Sequence, residues 1–309
     1  MKIWILYRHD KLFDYQHKRF LEEAEKLSLD IQIVAAEDFE IIEPAPSKPQ
    51  IIYQGDWIDL PDVLITRQPG FSYFAHTLVR HLARRGVSVF NNSAAIYRAE
   101  DKMLAVETLA YKEIPQPKTL LIKSGFNVDV IERELEFPVV AKTTHGMKGL
   151  GVFLLENRQQ CGNILGVIET LNTHNTPILL QEFIADSKGR DLRVFVIGNK
   201  AVAAVMRHTK NPDEFRANVA LGGEAKIYEL TPEVSALAVE VAEALGLEIA
   251  GVDFLITKDE LLVCEVNSNP GFDGFEQTTG ANIPRLILEY AMKRKDNQNR
   301  ARFLSHRIC

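Results

Sequence analysis

The sequence predicts an α/β domain at the N-terminus followed by a larger α+β region, and three observations carry that expectation. Strand-like and helix-like segments alternate over residues 1–95, the pattern of a parallel sheet. From Thr119 to Phe183, apolar strands and helices flank a glycine-rich loop. From Leu192 onward, apolar runs fold back as antiparallel hairpins, and the last of these ends in oxygen-bearing side chains.

In order, residues 3–7 read as a buried strand and 15–27 as an amphipathic helix with Phe20, Leu21, Ala24 and Leu27 on one side. Ile31 to Val34 is a second strand. The segment Glu43-Pro-Ala-Pro-Ser-Lys-Pro49 reads as a loop, because proline lacks an N–H and restricts φ. Val63 to Thr66 is a third strand, followed by a helix near 73–85 and a strand near Val87 to Phe90. No G-x-G-x-x-G turn follows the first strand, so the dinucleotide fingerprint is missing. Asn92-Ser93 is placed to cap a helix running to about Tyr111, and Ile114-Pro-Gln-Pro117 breaks the chain. A helix near 232–245 precedes the last hairpin. Ile283 to Lys293 reads as a final helix, and the polar tail from Asp296 to Cys309 is expected to be poorly ordered.

Composition bounds the function. The chain has 309 residues, 46% apolar and 25% charged, enough for two or three packed units. A net charge of −6 argues against nonspecific coating of nucleic acid, and no direct nucleic-acid partner is expected. Cys161, Cys264 and Cys309 are odd in number and far apart, which fits neither a disulfide framework nor a zinc site. The apolar start Met1–Tyr7 meets Arg8, His9 and Asp10 at once, unlike a signal peptide. No run approaches the roughly 20 apolar residues of a membrane span. The expectation is a cytoplasmic protein in a reducing compartment.

The last hairpin is the most informative segment. Gly251-Val-Asp253 opens one strand, and Leu261-Leu-Val-Cys-Glu265-Val-Asn267 forms the next. Alternation puts Glu265 and Asn267 on one face. A three-residue loop at Lys258-Asp259-Glu260 would set Asp253 opposite Glu265. Such oxygen donors suit a hard cation such as Mg2+. Taken alone, they equally fit polar strand ends facing water.

A second constellation precedes it. Pro138-Val-Val-Ala-Lys142 is a strand ending in lysine, and Gly146-Met-Lys148-Gly149-Leu-Gly151 leads into another strand. Glycines permit close backbone approach, so exposed N–H groups and lysines can cradle phosphate. The loop is neither a Walker A nor a Rossmann turn, since a strand follows. An ordinary flexible hairpin is the plain alternative. Asp191 and Arg193 share a strand face, and the turn at Gly198-Asn-Lys200 brings Arg207 back near Asp191. Arg193, Arg207 and Arg216 can stabilise a phosphoryl group in transfer, or form surface ion pairs.

Taken together, Asp101-Lys102, Pro138–Lys142, Gly146–Val152, Gln181-Glu-Phe-Ile184, Asp191-Leu-Arg193, Phe215-Arg-Ala-Asn218, Gly222-Gly223, Ala250–Asp253 and Glu265–Gly271 resemble the ATP-grasp superfamily, and within it the RimK-type glutamate ligases. The stretch Phe275–Gly280 resembles the segment after that family's metal residues. The resemblance implies an ATP-grasp fold with an N-terminal pre-ATP-grasp α/β domain over 1–95, a central lobe with the phosphate flap over 96–185, a C-terminal lobe with the metal site over 186–295 and a polar tail over 296–309. It implies that Lys102, Lys142, Gly149 and Gly151 meet phosphates, that Glu182 and Phe183 line the adenine site and that Asp191 lies near the ribose. Arg216, Ala217 and Asn218 would reach the phosphates and an acyl phosphate. Asp253, Glu265 and Asn267 would bind Mg2+ or Mn2+, with two ions expected. Ser268-Asn269 and Arg207-His208-Thr209 depart from the family pattern on the acceptor side.

The implied activity is ATP-dependent amide formation through an acyl phosphate. Glutamate is the expected amine donor, and a small molecule, peptide or protein C-terminus the carboxylate acceptor. A homo-oligomer is compatible with the family. Positioning and charge neutralisation dominate such transfers, so no Ser-His-Asp or Cys-His constellation is required. The competing readings are a nucleotide-binding protein without turnover and a ligase that uses another amino acid. Arg80, Arg84 and Arg85 lie at helical spacings and fit a solvated face. Arg67 follows a strand end, where α/β ligand sites open, and is the preferred acceptor contact.

Overall fold

The computed structural model describes residues 1–8, 14–44, 48, 50–67, 72–123, 125–143, 151–171, 177–211, 213–217 and 223–305, with residues 171 and 298–305 given by backbone alone. Gly149 and Asn218, together with Gly146–Leu150 and Gly222 of the sequence motifs, lie outside the described residues.

The N-terminal sheet forms from β1 (Lys2–Tyr7), β2 (Asp30–Ala35), β6 (Val63–Thr66) and β7 (Ser88–Phe90), all parallel in the order β2-β1-β6-β7. Both faces of β1 are buried, as its unbroken apolar run requires. Trp4 and Leu6 pack toward α2 (Tyr73–Arg84). Ile3 and Ile5 pack toward Phe20 of α1 (Tyr15–Lys26). The inward stripe of α1 is His17, Phe20 and Ala24, whereas Leu21 is exposed, one position off the stripe the sequence suggested. Between β2 and β6 lies a small antiparallel sheet that the proline-rich reading missed: β3 (Phe39–Glu40), β4 (Gln50–Tyr53) and β5 (Asp56–Asp59). Its two-residue turn is Gln54-Gly55, both at positive φ, as tight hairpins demand.

The expected helix from Ser93 to Tyr111 is two helices, α3 (Ser93–Glu100) and α4 (Lys102–Tyr111). Asp101 ends the first and caps the second, accepting from the N–H groups of Met103 and Leu104 at 3.1 and 3.0 Å. An aspartate satisfies those unpaired donors better than it continues a helix.

Next come β8 (Thr119–Ile122), α5 (Val128–Leu135), β9 (Val139–Thr143), β10 (Val152–Leu155), α6 (Arg158–Leu171) and β11 (Ile178–Glu182). Their strands make an antiparallel sheet in the order β10-β9-β11-β8. Val139, Ala141 and Leu180 face a core with Ile131, Leu135, Cys161 and Leu165 from the two helices. Alternation therefore turns Lys142 and Gln181 to the other face.

The largest sheet is antiparallel and runs β14-β13-β12-β15-β16. Its strands are β12 (Arg190–Ile197), β13 (Lys200–His208), β14 (Glu224–Ile227), β15 (Ile249–Ile256) and β16 (Leu261–Asn267). Between β14 and β15 lies α7 (Pro232–Leu245), which starts on the Thr231 cap with proline at its first position and ends at Gly246 in the left-handed region. Leu192, Val194, Val252 and Phe254 pack with α7. On the other face, Phe195, Ile197 and Ile249 join Ile3 and Ile5 of the N-terminal sheet and Phe275 of α8 (Asp273–Thr279). Asn91 joins the two sheets. Its Nδ2 donates to Ile249 O and Ser268 O at 2.7 and 2.8 Å, and its Oδ1 accepts from Glu248 and Ile249 N–H at 2.7 and 2.9 Å. The final helix, α9 (Ile283–Ser305), continues beyond Lys293 through most of the segment read as a tail.

Candidate active site

The acidic hairpin reaches its pairing by a route the sequence did not reveal. Ile256 pairs with Leu261, which leaves a four-residue loop, Thr257–Glu260, in place of the expected three. Phe254 pairs with Val263 and Asp253 with Glu265, so Cys264 is an extra residue in β16. This bulge offsets the longer loop and restores the register. Asp253 lies opposite Glu265, and Gly251 opposite Asn267. The three oxygen-bearing residues thus share one face at the end of β15 and β16. Glycine is required at 251 because a Cβ there would lie 2.7 Å from Pro270 Cβ.

The same face carries the charges of β12 and β13. Arg193 is paired side-on with Asp253, Nε to Oδ1 and Nη2 to Oδ2, both at 2.5 Å. Arg207 Nε and Nη2 donate to the two oxygens of Asp191 at 2.6 Å, and Nη2 also donates to Asp253 Oδ2 at 2.9 Å. Burial would push the Asp253 carboxyl up, but Arg193 and Arg207 outweigh it and hold it below its ordinary value. Burial dominates at Asp191 and raises its carboxyl despite Arg207. Burial disfavours charge on Arg207 too, yet Asp253 and Asp191 hold its proton more tightly than usual. Two cations and two carboxylates close this network.

Lys142 approaches from the central sheet. Its Nζ donates to Gln181 Oε1 at 2.6 Å and lies 4.0 Å from Cys264 Sγ on β16. Burial raises the Cys264 thiol, with Lys142 opposing. Gly151 sits beside the lysine's strand at φ +74°, and a Cβ there would come within 2.7 Å of Thr143 Oγ1. Glu182 is exposed, and its N–H donates to Lys118 O at 3.0 Å. Phe183 meets Phe215 edge-on at 6.3 Å. Arg216 is held by its neighbour Glu214 through Nε and Nη2 at 2.8 and 2.7 Å, and Ala217 beside it is buried. Lys102 occupies the first turn of α4, just after its Asp101 cap.

The donor set fits a divalent cation in kind. Among the described residues no group of three or more His, Cys, Asp or Glu side chains is placed to hold a metal, and this set is two carboxylates plus one amide. Asn267 Nδ2, a donor, is buried without a hydrogen-bond partner, and only its Oδ1 could meet a cation. Glu265 is exposed. Asp253 Oδ2 accepts from both arginines, whereas Oδ1 accepts only from Arg193 Nε and keeps a lone pair for a cation.

Sequence reasoning missed Gln181, Glu214 and Cys264 as neighbours of the site. Gln181 follows an apolar run at the spacing that turns it to the lysine's face, a signal that needs the pairing of β9 with β11 to be read. Glu214 was visible two positions before Arg216.

Two antiparallel lobes that face each other across a lysine and a carboxylate-rich sheet, behind a parallel N-terminal sheet, define an ATP-grasp architecture. Residues 1–96 match the RimK PreATP-grasp domain and residues 99–291 the RimK-like ATP-grasp domain. A probable alpha-L-glutamate ligase of Legionella pneumophila (strain Corby) is 38% identical over 298 residues, covering 95% of this chain and 96% of that protein. A RimK domain ATP-grasp protein from Sphaerobacter thermophilus superposes with a TM-score of 0.71 at 21% identity, covering 93% of this chain and 98% of its own. The ATP-grasp ligase PsnB, complexed with minimal precursor, Mg and ADP, superposes at 0.72 and 17% identity, covering 95% and 98%. The chain therefore belongs to the RimK-like ATP-grasp family and is an ATP-dependent ligase that forms amide bonds. Ligases of this class use ATP and a divalent metal. No helix among the described residues is long and apolar enough to cross a membrane.

Proposed function

We infer that the amine donor is L-glutamate and that the acceptor is the carboxylate of a peptide, protein C-terminus or small molecule. The name of the Legionella relative supports the donor. The reaction begins when an acceptor carboxylate oxygen attacks the γ-phosphorus of ATP. The bond to the β-phosphate oxygen breaks and ADP leaves. The amine of glutamate then attacks the acyl carbon, phosphate departs, and the amine loses a proton as the amide forms.

In this reading Lys142 and Lys102 hold phosphate oxygens, with Gly151 and, outside the described residues, Gly149 assigned to the same role. Glu182 and Phe183 line the adenine, and Asp191 lies toward the ribose. Arg193, Arg207, Arg216 and Ala217, with Asn218 outside the described residues, position the transferring phosphoryl group. Asp253, Glu265 and Asn267 would hold Mg2+ or Mn2+, with two ions expected, and a cation there offsets charge on the triphosphate. The observation that carries the reading is the bulged register, which gathers three oxygen donors on one face while Lys142 arrives at Cys264 from the opposite lobe.

The test is incubation with ATP, Mg2+, L-glutamate and cell extract, followed by intact-mass analysis and phosphate release. Products heavier by one or more glutamyl residues are expected. Phosphate release that depends on a different amino acid and not on glutamate would replace the donor assignment.

A further inference from the structure

At the C-terminal edge of the N-terminal sheet, four buried polar atoms lack hydrogen-bond partners: the Tyr7 hydroxyl, His17 Nε2, and Nε and Nη1 of Arg67. The three residues are 3%, 2% and 1% exposed. Tyr7 ends β1, and Arg67 follows the adjacent strand β6, its N–H donating to Leu6 O at 2.9 Å. The ring of His17 lies 3.7 Å from that of Tyr7, centroid to centroid. The side chains therefore converge.

The Tyr7 hydroxyl and the two Arg67 nitrogens are donors, and His17 Nε2 is one in one of its two neutral tautomers. His17 Nδ1 lies 3.2 Å from Asp14 N and 3.1 Å from Asp14 Oδ1; in the tautomer that accepts from the N–H, Nε2 carries the hydrogen. Burial pushes the Tyr7 hydroxyl up to about 12, which keeps it protonated at neutral pH. Arg67 Nη2 donates to Gln16 Oε1 and Pro270 O at 2.8 and 2.7 Å, and the guanidinium also acts on the Tyr7 hydroxyl beside it, opposing the rise that burial causes there. Gln16 in turn donates to Asp273 Oδ1 at 2.8 Å, so that acid reaches Arg67 only through an amide. Among the described residues no carboxylate ion-pairs with Arg67. Folded interiors rarely leave such donors unmatched, and a guanidinium with convergent N–H and O–H groups matches a planar carboxylate. Pro270, whose carbonyl receives Arg67, lies over Gly251, the residue paired with Asn267. The cluster thus stands behind the loop that leaves the candidate metal face.

We propose that Tyr7, His17 and Arg67 form a subsite for a non-reacting carboxylate of a ligase substrate. The proposal rests on the reading that both substrates carry carboxylates. Donors here engage the oxygen lone pairs of the bound group and make it a poor nucleophile. The subsite thereby selects which carboxylate is left to react.

The test measures binding to the full chain with ADP and Mg2+ present, using L-glutamate and tri-α-L-glutamate as probes and L-glutamine and isoglutamine as amide controls. The variants are Tyr7→Phe, which removes one oxygen, and Arg67→Lys, with thermal melting to check folding. A tenfold or greater loss for L-glutamate in folded Tyr7→Phe, with ADP binding unchanged, assigns the subsite to the amine donor. The same loss confined to the triglutamate assigns it to the acceptor. Unaltered affinity for both probes in folded Tyr7→Phe overturns the proposal and leaves buried water as the occupant. Binding of ADP but of neither probe by the unaltered protein also overturns it, while the ligase reading stands. Absence of ADP binding would sink the ligase reading and the subsite together.

Discussion

Arg207 and Arg67 are both buried, at 8% and 1% exposed, but they are surrounded by different chemistry. Arg207 touches two carboxylates, and every donor in use meets an anion. Its proton is held more firmly than in water because Asp253 and Asp191 outweigh burial. Arg67 touches an amide oxygen and a main-chain carbonyl, and burial weakens its hold on its proton. One arginine completes a charge network within the chain. The other leaves donors over. A self-contained network costs a great deal to break, because its partners remain behind as buried charges; an incomplete one costs little to remove but has capacity for a ligand.

The largest expected effect tests that contrast directly. Arg207→Met strands Asp191 and leaves Asp253 to Arg193 alone, and should destabilise the fold by about 3–5 kcal/mol in urea denaturation. A loss below about 1 kcal/mol would show that the network contributes nothing. Next comes Glu265→Ala. This carboxylate shares the face of Asp253 but is exposed. Turnover should fall by about 100- to 1000-fold, in the range of losing one charge-stabilising group, while the melting temperature stays put. Near-normal phosphate release with Mg2+ in that variant would remove Glu265 from the cation site.

Arg67→Met should be milder than its counterpart. It strands only Gln16 Oε1 and Pro270 O, so the expected cost in urea is about 1–2 kcal/mol. A cost as large as that of Arg207→Met would mean that Arg67 has a charged partner after all, and the contrast would fail. Smallest is Gln16→Leu, which cuts the relay between Arg67 and Asp273. A change of about 1 kcal/mol is expected from one lost pair, read by the same denaturation.

Much of the fold could be read from local pattern. The strand of residues 2–7, the α7 start at Thr231-Pro232 and the switch to hairpins after Leu192 all follow from alternation and capping. The errors have local causes. The apolar pattern runs unbroken through Asp101, but its side chain prefers to cap a helix. Hydrophobicity alone puts Leu21 inward, but the buried stripe runs through His17. Gln54-Gly55 is a weaker hairpin signal than Asn-Gly, so the small sheet of β3–β5 went unseen.

At the candidate site, the residue types were legible and the partners were not. The expected pairing of Asp253 with Glu265 came from a three-residue loop; the chain reaches it with four loop residues and a bulge at Cys264. Arg216 pairs with Glu214, two positions away, a partner the motif around it does not announce.

By itself the sequence determined most of the strands and helices outside the β3–β5 sheet, the polar ends of the last hairpin and the family to which the chain belongs. Those features depend on neighbours a few residues apart, where periodicity and capping act. Only the tertiary structure decided that Lys142 meets Gln181 and Cys264, and that Arg67 meets the carbonyl of Pro270, 203 positions away. Contacts at that separation arise when sheets pack face to face, and a linear pattern carries no record of which faces will meet.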